Sequence, residues 1–223
     1  MTVAQFLRRV PLFSQLSDAD ITRLAESARE RNYPKNSVIL FEDDPGDALY
    51  VVITGQVKVV LIGEDGREVI LSVLQEGQFF GEMALIDDEP RSAHVIAMTD
   101  ANLLVLRRED FQRRLQEAPT IALGLLGEMS RRMRKADDKI GGLVLLDVNG
   151  RVARLLLQMA DENDGKTITR RVTHHTIAQM IGSSRETVSR TIRDLADRGL
   201  VEVSRKAIII KDRPALKAAA GQG

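Results

Sequence analysis

The chain has 223 residues, 43% of them hydrophobic and none of them cysteine. That length supports one or two packed domains. The absence of cysteine excludes a disulfide framework, a thiolate metal site and a cysteinyl iron–sulfur cluster. No apolar run approaches the ~20 residues of a membrane span, and Met1–Arg9 lacks the apolar core of a signal peptide, so the expected location is cytoplasmic, with no membrane partner. A formal net charge of zero conceals an asymmetry: residues 1–150 carry 18 Lys/Arg against 24 Asp/Glu, whereas residues 151–223 carry 14 against 8. An acidic first part and a basic second part fit a polyanion partner for the latter.

In chain order, residues 2–32 read as short helices, with Ser17 as a cap, Asp20 three residues on, and Ile21, Leu24 and Ala25 as the apolar stripe. Between about 36 and 107 the pattern becomes β-rich, in the runs Val38–Phe41, Leu49–Ile53, Val57–Ile62, Val69–Leu74, Ala93–Ala97 and Leu103–Leu106. Turn residues separate them, among them Pro45-Gly46-Asp47, Gly63-Glu64-Asp65-Gly66 and Asp88-Glu89-Pro90. Short strands at this spacing predict an antiparallel jelly-roll or barrel.

Pro119 then introduces a long helix, predicted from about Thr120 to Leu146. Its residues Ala122, Leu126, Met129, Met133, Ala136, Ile140 and Leu143 recur at alternating spacings of four and three, the spacing of a coiled-coil seam. The flanks Arg131, Arg132, Arg134 and Lys135 are charged, so the stripe is expected to join two copies of the chain through residues 120–146. Gly141-Gly142 weakens this helix by ~1 kcal/mol per glycine, which close helix approach or a hinge would explain. Asp147-Val148-Asn149-Gly150 breaks the helix and reads as a hinge. Beyond it come a helix over Arg151–Ala160, a turn at Asp161–Lys166, an extended lead-in at Thr167–Thr173, and two short helices ending at Gly199. A two-stranded wing follows (Leu200–Val203, Ser204-Arg205-Lys206, Ala207–Lys211), then a frayed tail, Ala215–Gly223.

The segment Gly182-Ser183-Ser184-Arg185-Glu186-Thr187-Val188-Ser189-Arg190-Thr191 carries the most chemistry. It is a turn opening into a helix on which Glu186 and Arg190, four apart, share one face with Arg185 beside them. Val188, Ile192 and Leu195 hold the opposite face to a core. Arg offers two donors to the O6 and N7 of guanine, and Glu accepts from the N4 amine of cytosine, so the polar face suits a major groove. Upstream, Thr173 is a candidate N-cap, Ile177 and Met180 pack inward, and Gly182 permits the turn.

These residues and two further segments resemble the cyclic AMP receptor protein and FNR superfamily of bacterial transcription regulators over nearly the whole chain. The first segment, Phe80-Gly81-Glu82-Met83-Ala84-Leu85-Ile86-Asp87-Asp88-Glu89-Pro90-Arg91-Ser92-Ala93, is similar to the phosphate-binding cassette of cyclic-nucleotide domains. The second, Leu145–Ala153, is similar to the hinge after the dimer helix. The third is the winged helix-turn-helix, Thr173 to Gly199. The resemblance implies an α+β chain: a β-roll sensor over 1–118, a dimerisation helix over 119–147 and a winged helix-turn-helix over 148–223. It implies a ligand site of Gly81, Glu82, Met83, Ala84, Arg91 and Ser92, with Glu82 on the ribose, Arg91 and Ser92 on the cyclic phosphate, and the Met83 and Ala84 backbone alongside. The chemistry agrees, since glycine admits close backbone approach, Arg and Ser donate to an anion, and Glu needs a donor such as a 2′-OH.

Where the cyclic AMP receptor protein offers Thr and Ser to the adenine, this chain has Ala136 and Asp137. Asp137 accepts only when ionised; it can take the N6 amine of adenine or pair with the N1–H and N2 amine of guanine. Cyclic AMP leads, with cyclic GMP or cyclic di-GMP as alternatives. The resemblance further implies bases read by Arg185, Glu186 and Arg190 on TGTGA-like half-sites, and phosphates held by Thr173, Ser184, Thr187 and Ser189. Its implied partners are double-stranded DNA, a second copy of the chain and RNA polymerase. A β-roll without ligand is the competing expectation. An enzyme is not expected, because no Ser/His/Asp arrangement, metal-ligand cluster or P-loop is present. His94 reads as an ordinary strand residue rather than a haem or metal ligand, and Glu42-Asp43-Asp44…Asp47 as a solvated turn.

Overall fold

Thr2 and Ser17 open the first two helices by accepting backbone N–H groups three residues on. Thr2 accepts from Gln5 to start α1 (Val3–Leu7), and Ser17 accepts from Asp20 to start α2 (Asp18–Ser27). The structure, a computed structural model, describes residues 1–162, 164–168, 172–204 and 207–221. The chain divides into two units, Met1–Met133 and Arg134–Gly223.

Eight strands follow in the first unit: β1 (Arg29–Tyr33), β2 (Val38–Leu40), β3 (Ala48–Thr54), β4 (Val57–Ile62), β5 (Glu68–Leu74), β6 (Phe79–Phe80), β7 (His94–Ala97) and β8 (Ala101–Arg107). They form two antiparallel sheets, ordered β1-β8-β3-β6 and β2-β7-β4-β5. Alternation along β3 decides how they pack. Ala48, Tyr50 and Val52 face an inner core shared with Leu40, Val57, Leu74 and Val95 of the other sheet. Leu49 and Val51 face the opposite way, against Phe6, Leu7, Phe13, Ile21 and Leu24 of the N-terminal segments. Fully burying one such side chain contributes roughly 1.5–3 kcal/mol.

Residues 29–32, expected as helix, are strand instead. They pair with β8, Arg29 opposite Val105 and Tyr33 opposite Ala101, along the sheet edge where charged side chains remain exposed. Between β6 and β7 lies a short helix, α3 (Met83–Ile86), and after β8 comes α4 (Arg108–Glu117). The long helix α5 spans Pro119–Leu145. Ile121 and Leu125 join the helix-covered core of the first unit, while Leu126 and Met133 stand exposed.

In the second unit Asp147 does not end in a loop; it caps the next helix. Its Oδ1 accepts from Gly150 N at 2.8 Å, so α6 runs Val148–Asp161 and the expected four-residue hinge shrinks to the junction at Leu146-Asp147. Next come β9 (Thr167–Ile168), α7 (His174–Ile181), α8 (Arg185–Asp197), β10 (Val201–Val203), β11 (Ile208–Ile210) and α9 (Arg213–Ala219). The wing is three-stranded, ordered β10-β11-β9. Within the expected lead-in residues 169–171, and within the wing turn Arg205-Lys206, lie outside the described residues. Of the tail expected to fray, residues 215–219 belong to α9, and residues 222–223 lie outside the described residues. Asp212 caps the helix at Ala215 N, and Leu216 and Ala220 are fully buried in the core of this unit. The architecture is α+β, an antiparallel β-roll with a long helix and a C-terminal winged helix-turn-helix.

Candidate functional site

Gly81 turns the chain from β6 into α3 at φ +84°, a left-handed conformation glycine adopts without strain. A Cβ here would lie 2.8 Å from Arg91 Nη1 and 3.0 Å from the Ala48 carbonyl oxygen, so the arginine occupies the space a side chain would need. Arg91 is buried. Its Nη1 donates to the Gly81 carbonyl at 2.6 Å, and its Nη2 donates to the Ala48 carbonyl at 2.9 Å and Asp47 Oδ1 at 3.0 Å. Backbone bonds fasten the same loop: Asp43 N donates to the Arg91 carbonyl and Arg91 N to the Asp44 carbonyl, each at 2.9 Å. The acidic turn read as merely solvated therefore anchors the cassette, with Asp47 as its charged end.

Glu82 precedes α3 and points inward, its side chain 3% exposed. Its Oε1 accepts from Arg132 Nη1 at 2.8 Å, and Arg132 Nη2 donates to the Phe79 carbonyl at 2.5 Å. The guanidinium also lies 4.8 Å above the centre of the Phe79 ring, a cation–π contact. Burial pushes the Glu82 carboxyl above its ordinary range, and the charge of Arg132 draws it back. The other oxygen, Oε2, is buried with no hydrogen-bond partner among the described residues, and so is Arg91 Nε. One free acceptor on an anion and one free donor on a cation therefore lie in the same cassette. Beside them, burial pushes the Tyr50 hydroxyl up to about 12, with the Asp47 charge adding to the effect.

The remaining cassette residues divide by exposure. Met83 and Ser92 lie at the surface, where Ser92 Oγ donates to Met83 Sδ at 3.8 Å, and Ala84 is buried. Side chains of α4 hold the carbonyls of α3, Arg108 Nη2 reaching Ala84 at 2.6 Å and Gln112 Nε2 reaching Leu85 at 3.1 Å. Gly81, Glu82, Met83, Ala84, Arg91 and Ser92 thus share one loop-helix-loop segment between β6 and β7. Asp137 belongs to the second unit and is exposed on α5.

Arg132 was read from sequence as a charged flank of the helix. Its partner Glu82 lies 50 residues away, and no local pattern announces such a pair. The usable signal is chemical: a cassette glutamate headed for burial requires a cation, and Arg132 is one of several basic residues on α5.

The helix-turn-helix follows its sequence closely. Thr173 Oγ1 accepts from Thr176 N at 3.1 Å to start α7, and Ser184 Oγ accepts from Thr187 N at 3.1 Å to start α8. Gly182 closes α7 with φ +65°, the left-handed helix end that glycine supplies. Ile177, Val188, Ile192 and Leu195 are buried, and Met180 packs partly buried against the same core. Arg185, Glu186 and Arg190 are exposed; Thr173 and Ser184 are exposed, Thr187 and Ser189 half-buried. Thr191 interrupts the apolar face: it is buried, and its Oγ1 donates to Asn149 Oδ1 of α6 at 3.0 Å.

Comparison with known proteins places both halves. Residues 30–118 match the cyclic nucleotide-binding domain, and residues 150–219 match the Crp-like helix-turn-helix domain. The chain is 31% identical over 213 residues to the CRP-like cAMP-activated global transcriptional regulator of Mycobacterium tuberculosis, covering 93% of this chain and 95% of that protein. It is 34% identical over 183 residues to the cAMP-activated global transcriptional regulator CRP of Salmonella typhimurium, covering 80% and 87%. Among solved structures, the c-di-GMP responsive global regulator CLP of Xanthomonas campestris is 27% identical with a TM-score of 0.76, over 87% of this chain and 99% of that one. No helix among the described residues is long and apolar enough to cross a membrane. Full-length identity above 30%, together with the two matched domains in order, assigns the chain to the CRP/FNR family, whose members are DNA-binding transcription regulators and not enzymes.

Proposed function

We propose that this protein is a dimeric regulator that binds palindromic operators with TGTGA-like half-sites under the control of a cyclic nucleotide. The observation carrying the sensor half is the pair of unpartnered buried atoms, Glu82 Oε2 and Arg91 Nε. A ribose hydroxyl would donate to the first, and a phosphate oxygen would accept from the second, with Ser92 and the Met83–Ala84 backbone beside it. Arg132 joins this set, since it holds the other oxygen of Glu82 and would keep the carboxylate ionised to accept the hydroxyl. In parts, we assign the sensor to 1–118, the dimer helix to 119–147 and the reader to 148–223.

Exposed Leu126, Met133, Ile140 and Leu143 along α5 support a second copy as its partner. Two-fold symmetry would set the readers about one DNA turn, ~34 Å, apart. Arg185, Glu186 and Arg190 would read bases; Thr173, Ser184, Thr187 and Ser189 would hold phosphates. The protein would act in the cytoplasm, with RNA polymerase as a further partner.

Cyclic AMP is the first ligand to test, after the cAMP-activated relatives. Cyclic di-GMP is second, after the Xanthomonas neighbour, and cyclic GMP third, from the guanine-pairing capacity of Asp137. One observation favours a ligand-free reading: both terminal nitrogens of Arg91 are already engaged by protein acceptors. Isothermal titration of cyclic AMP, cyclic GMP and cyclic di-GMP into wild type and Asp137→Ser separates these. Binding of one nucleotide, with the preference altered in the variant, supports a site that uses Asp137. Silence across the panel overturns nucleotide control and leaves a constitutive DNA-binding regulator.

A further inference from the structure

The inner face of α8 should be wholly apolar, and at one position it is not. Thr191 lies three residues after Val188 and four before Leu195, which puts it on the buried face, 4% exposed. Among the described residues of the second unit it is the one buried polar side chain. A threonine inside a helix ordinarily turns its hydroxyl back to the carbonyl one turn earlier. Here the hydroxyl reaches across 42 residues to Asn149 Oδ1, 3.0 Å away. Asn149 is the second residue of α6, two beyond the capping Asp147 and four beyond the end of α5 at Leu145.

Stability does not account for this bond. Asn149 is an exposed residue, so its amide would be hydrated if the bond were missing. Valine, close to threonine in shape, would fill the same space with a methyl group. A neutral hydrogen bond that exchanges with water at one end contributes little net. What it adds is direction. Apolar contacts from Val188, Ile192 and Leu195 hold α8 down but resist rolling about the helix axis weakly. A hydrogen bond keeps its strength only over a narrow range of distance and angle, and this one acts at the residue immediately after Arg190.

We propose that Thr191 and Asn149 are a positioning pair for DNA reading. Their bond fixes the roll and depth of α8 against the first turn of α6, so that Arg185, Glu186 and Arg190 meet base edges in register. The proposal rests on α8 being the base reader. It makes the hydroxyl a determinant of operator selectivity although it touches no DNA, and it ties the reader to the turn that follows the α5–α6 junction.

The test uses the full chain with cyclic AMP and with cyclic di-GMP in turn. Affinity is measured for a duplex bearing two palindromic TGTGA half-sites and for a scrambled duplex of equal length. Thr191→Val and Asn149→Ala should each weaken operator binding about fivefold, the equivalent of one ordinary hydrogen bond. The double variant should be no weaker than either single, because both remove the same interaction. Affinity for the scrambled duplex should stay at the wild-type value throughout. The thermal midpoint should stay at the wild-type value in Thr191→Val, which leaves only the exposed Asn149 amide to water, and Thr191→Ser should restore operator binding. Wild-type operator affinity in Thr191→Val overturns the proposal, as do additive losses or a Thr191→Val midpoint that falls in step with affinity. A wild-type chain that fails to prefer the operator over the scrambled duplex removes the reading of α8 itself, and this inference with it.

Discussion

The cassette and helix α8 each carry charged side chains, and the two regions hold them in opposite ways. In the cassette Glu82 and Arg91 turn into the protein, where Arg132, Asp47 and backbone carbonyls engage them. On α8 the charges of Arg185, Glu186 and Arg190 all turn to solvent. Charges buried in the first region are tied into the fold by those bonds, so their removal should read out on stability first. Exposed charges in the second are free of structural duty, and their removal should read out on DNA only.

The largest expected effect tests the first half of that contrast. Arg91→Ala leaves the Gly81 and Ala48 carbonyls without their donor and opens a void beside Gly81, lowering unfolding free energy by about 3 kcal/mol; chemical denaturation measures it. A variant of wild-type stability would mean that Arg91 is held for ligand rather than for fold. Next, Arg190→Ala should cost operator affinity about ten- to a hundredfold, or 1–3 kcal/mol, with the melting temperature unchanged. A comparable loss on scrambled DNA would demote Arg190 from base reader to phosphate contact.

The smallest effect concerns pH. Burial holds the folded-state pKa of Glu82 above its unfolded value, so the folded protein binds the proton more tightly. Stability from this group is complete below the unfolded pKa and is lost as pH rises through the folded one. Arg132→Ala removes the cation that draws the value down, so the loss should extend to higher pH and grow. Melting curves from about pH 4 to pH 8 check this. A variant that parallels wild type across the range would show that Arg132 does not govern the Glu82 proton.

The same contrast explains what could be read from the sequence. The helix-turn-helix was legible almost residue by residue: Thr173, Gly182 and Ser184 act through bonds to neighbours three or four residues away, and the apolar spacing of Val188, Ile192 and Leu195 is itself the buried face. The β-roll was legible wherever alternation marked a half-buried strand, and Val57–Ile62 matched at both ends. β1 was not, because Arg-Glu-Arg-Asn-Tyr is an exposed edge strand with no apolar face to alternate. β6, two phenylalanines long, is too short to carry a period.

Within the cassette, the close backbone approach at Gly81 followed from local chemistry. The partners of its charges did not: Arg132 with Glu82 and Asp47 with Arg91 are contacts between distant segments. Thr191 with Asn149 is the same kind of contact within the reader unit. The final helix α9 escaped for a different reason. An alanine-rich stretch with one large apolar residue, Leu216, resembles a frayed end unless Asp212 is recognised as its cap and Pro214 as a first-turn residue.

That last helix changes how the protein should be handled. Leu216 and Ala220 are sealed in the core of the DNA-binding unit, and the Ala219 carbonyl lies 3.2 Å from where a Cβ on Gly150 would stand, in the opening turn of α6. Residues 213–220 therefore work as a plug, and cutting the chain after the wing would uncover the helix that follows the junction. An affinity handle fused directly behind residue 221 would pull on that plug, whereas one ahead of Met1 would not.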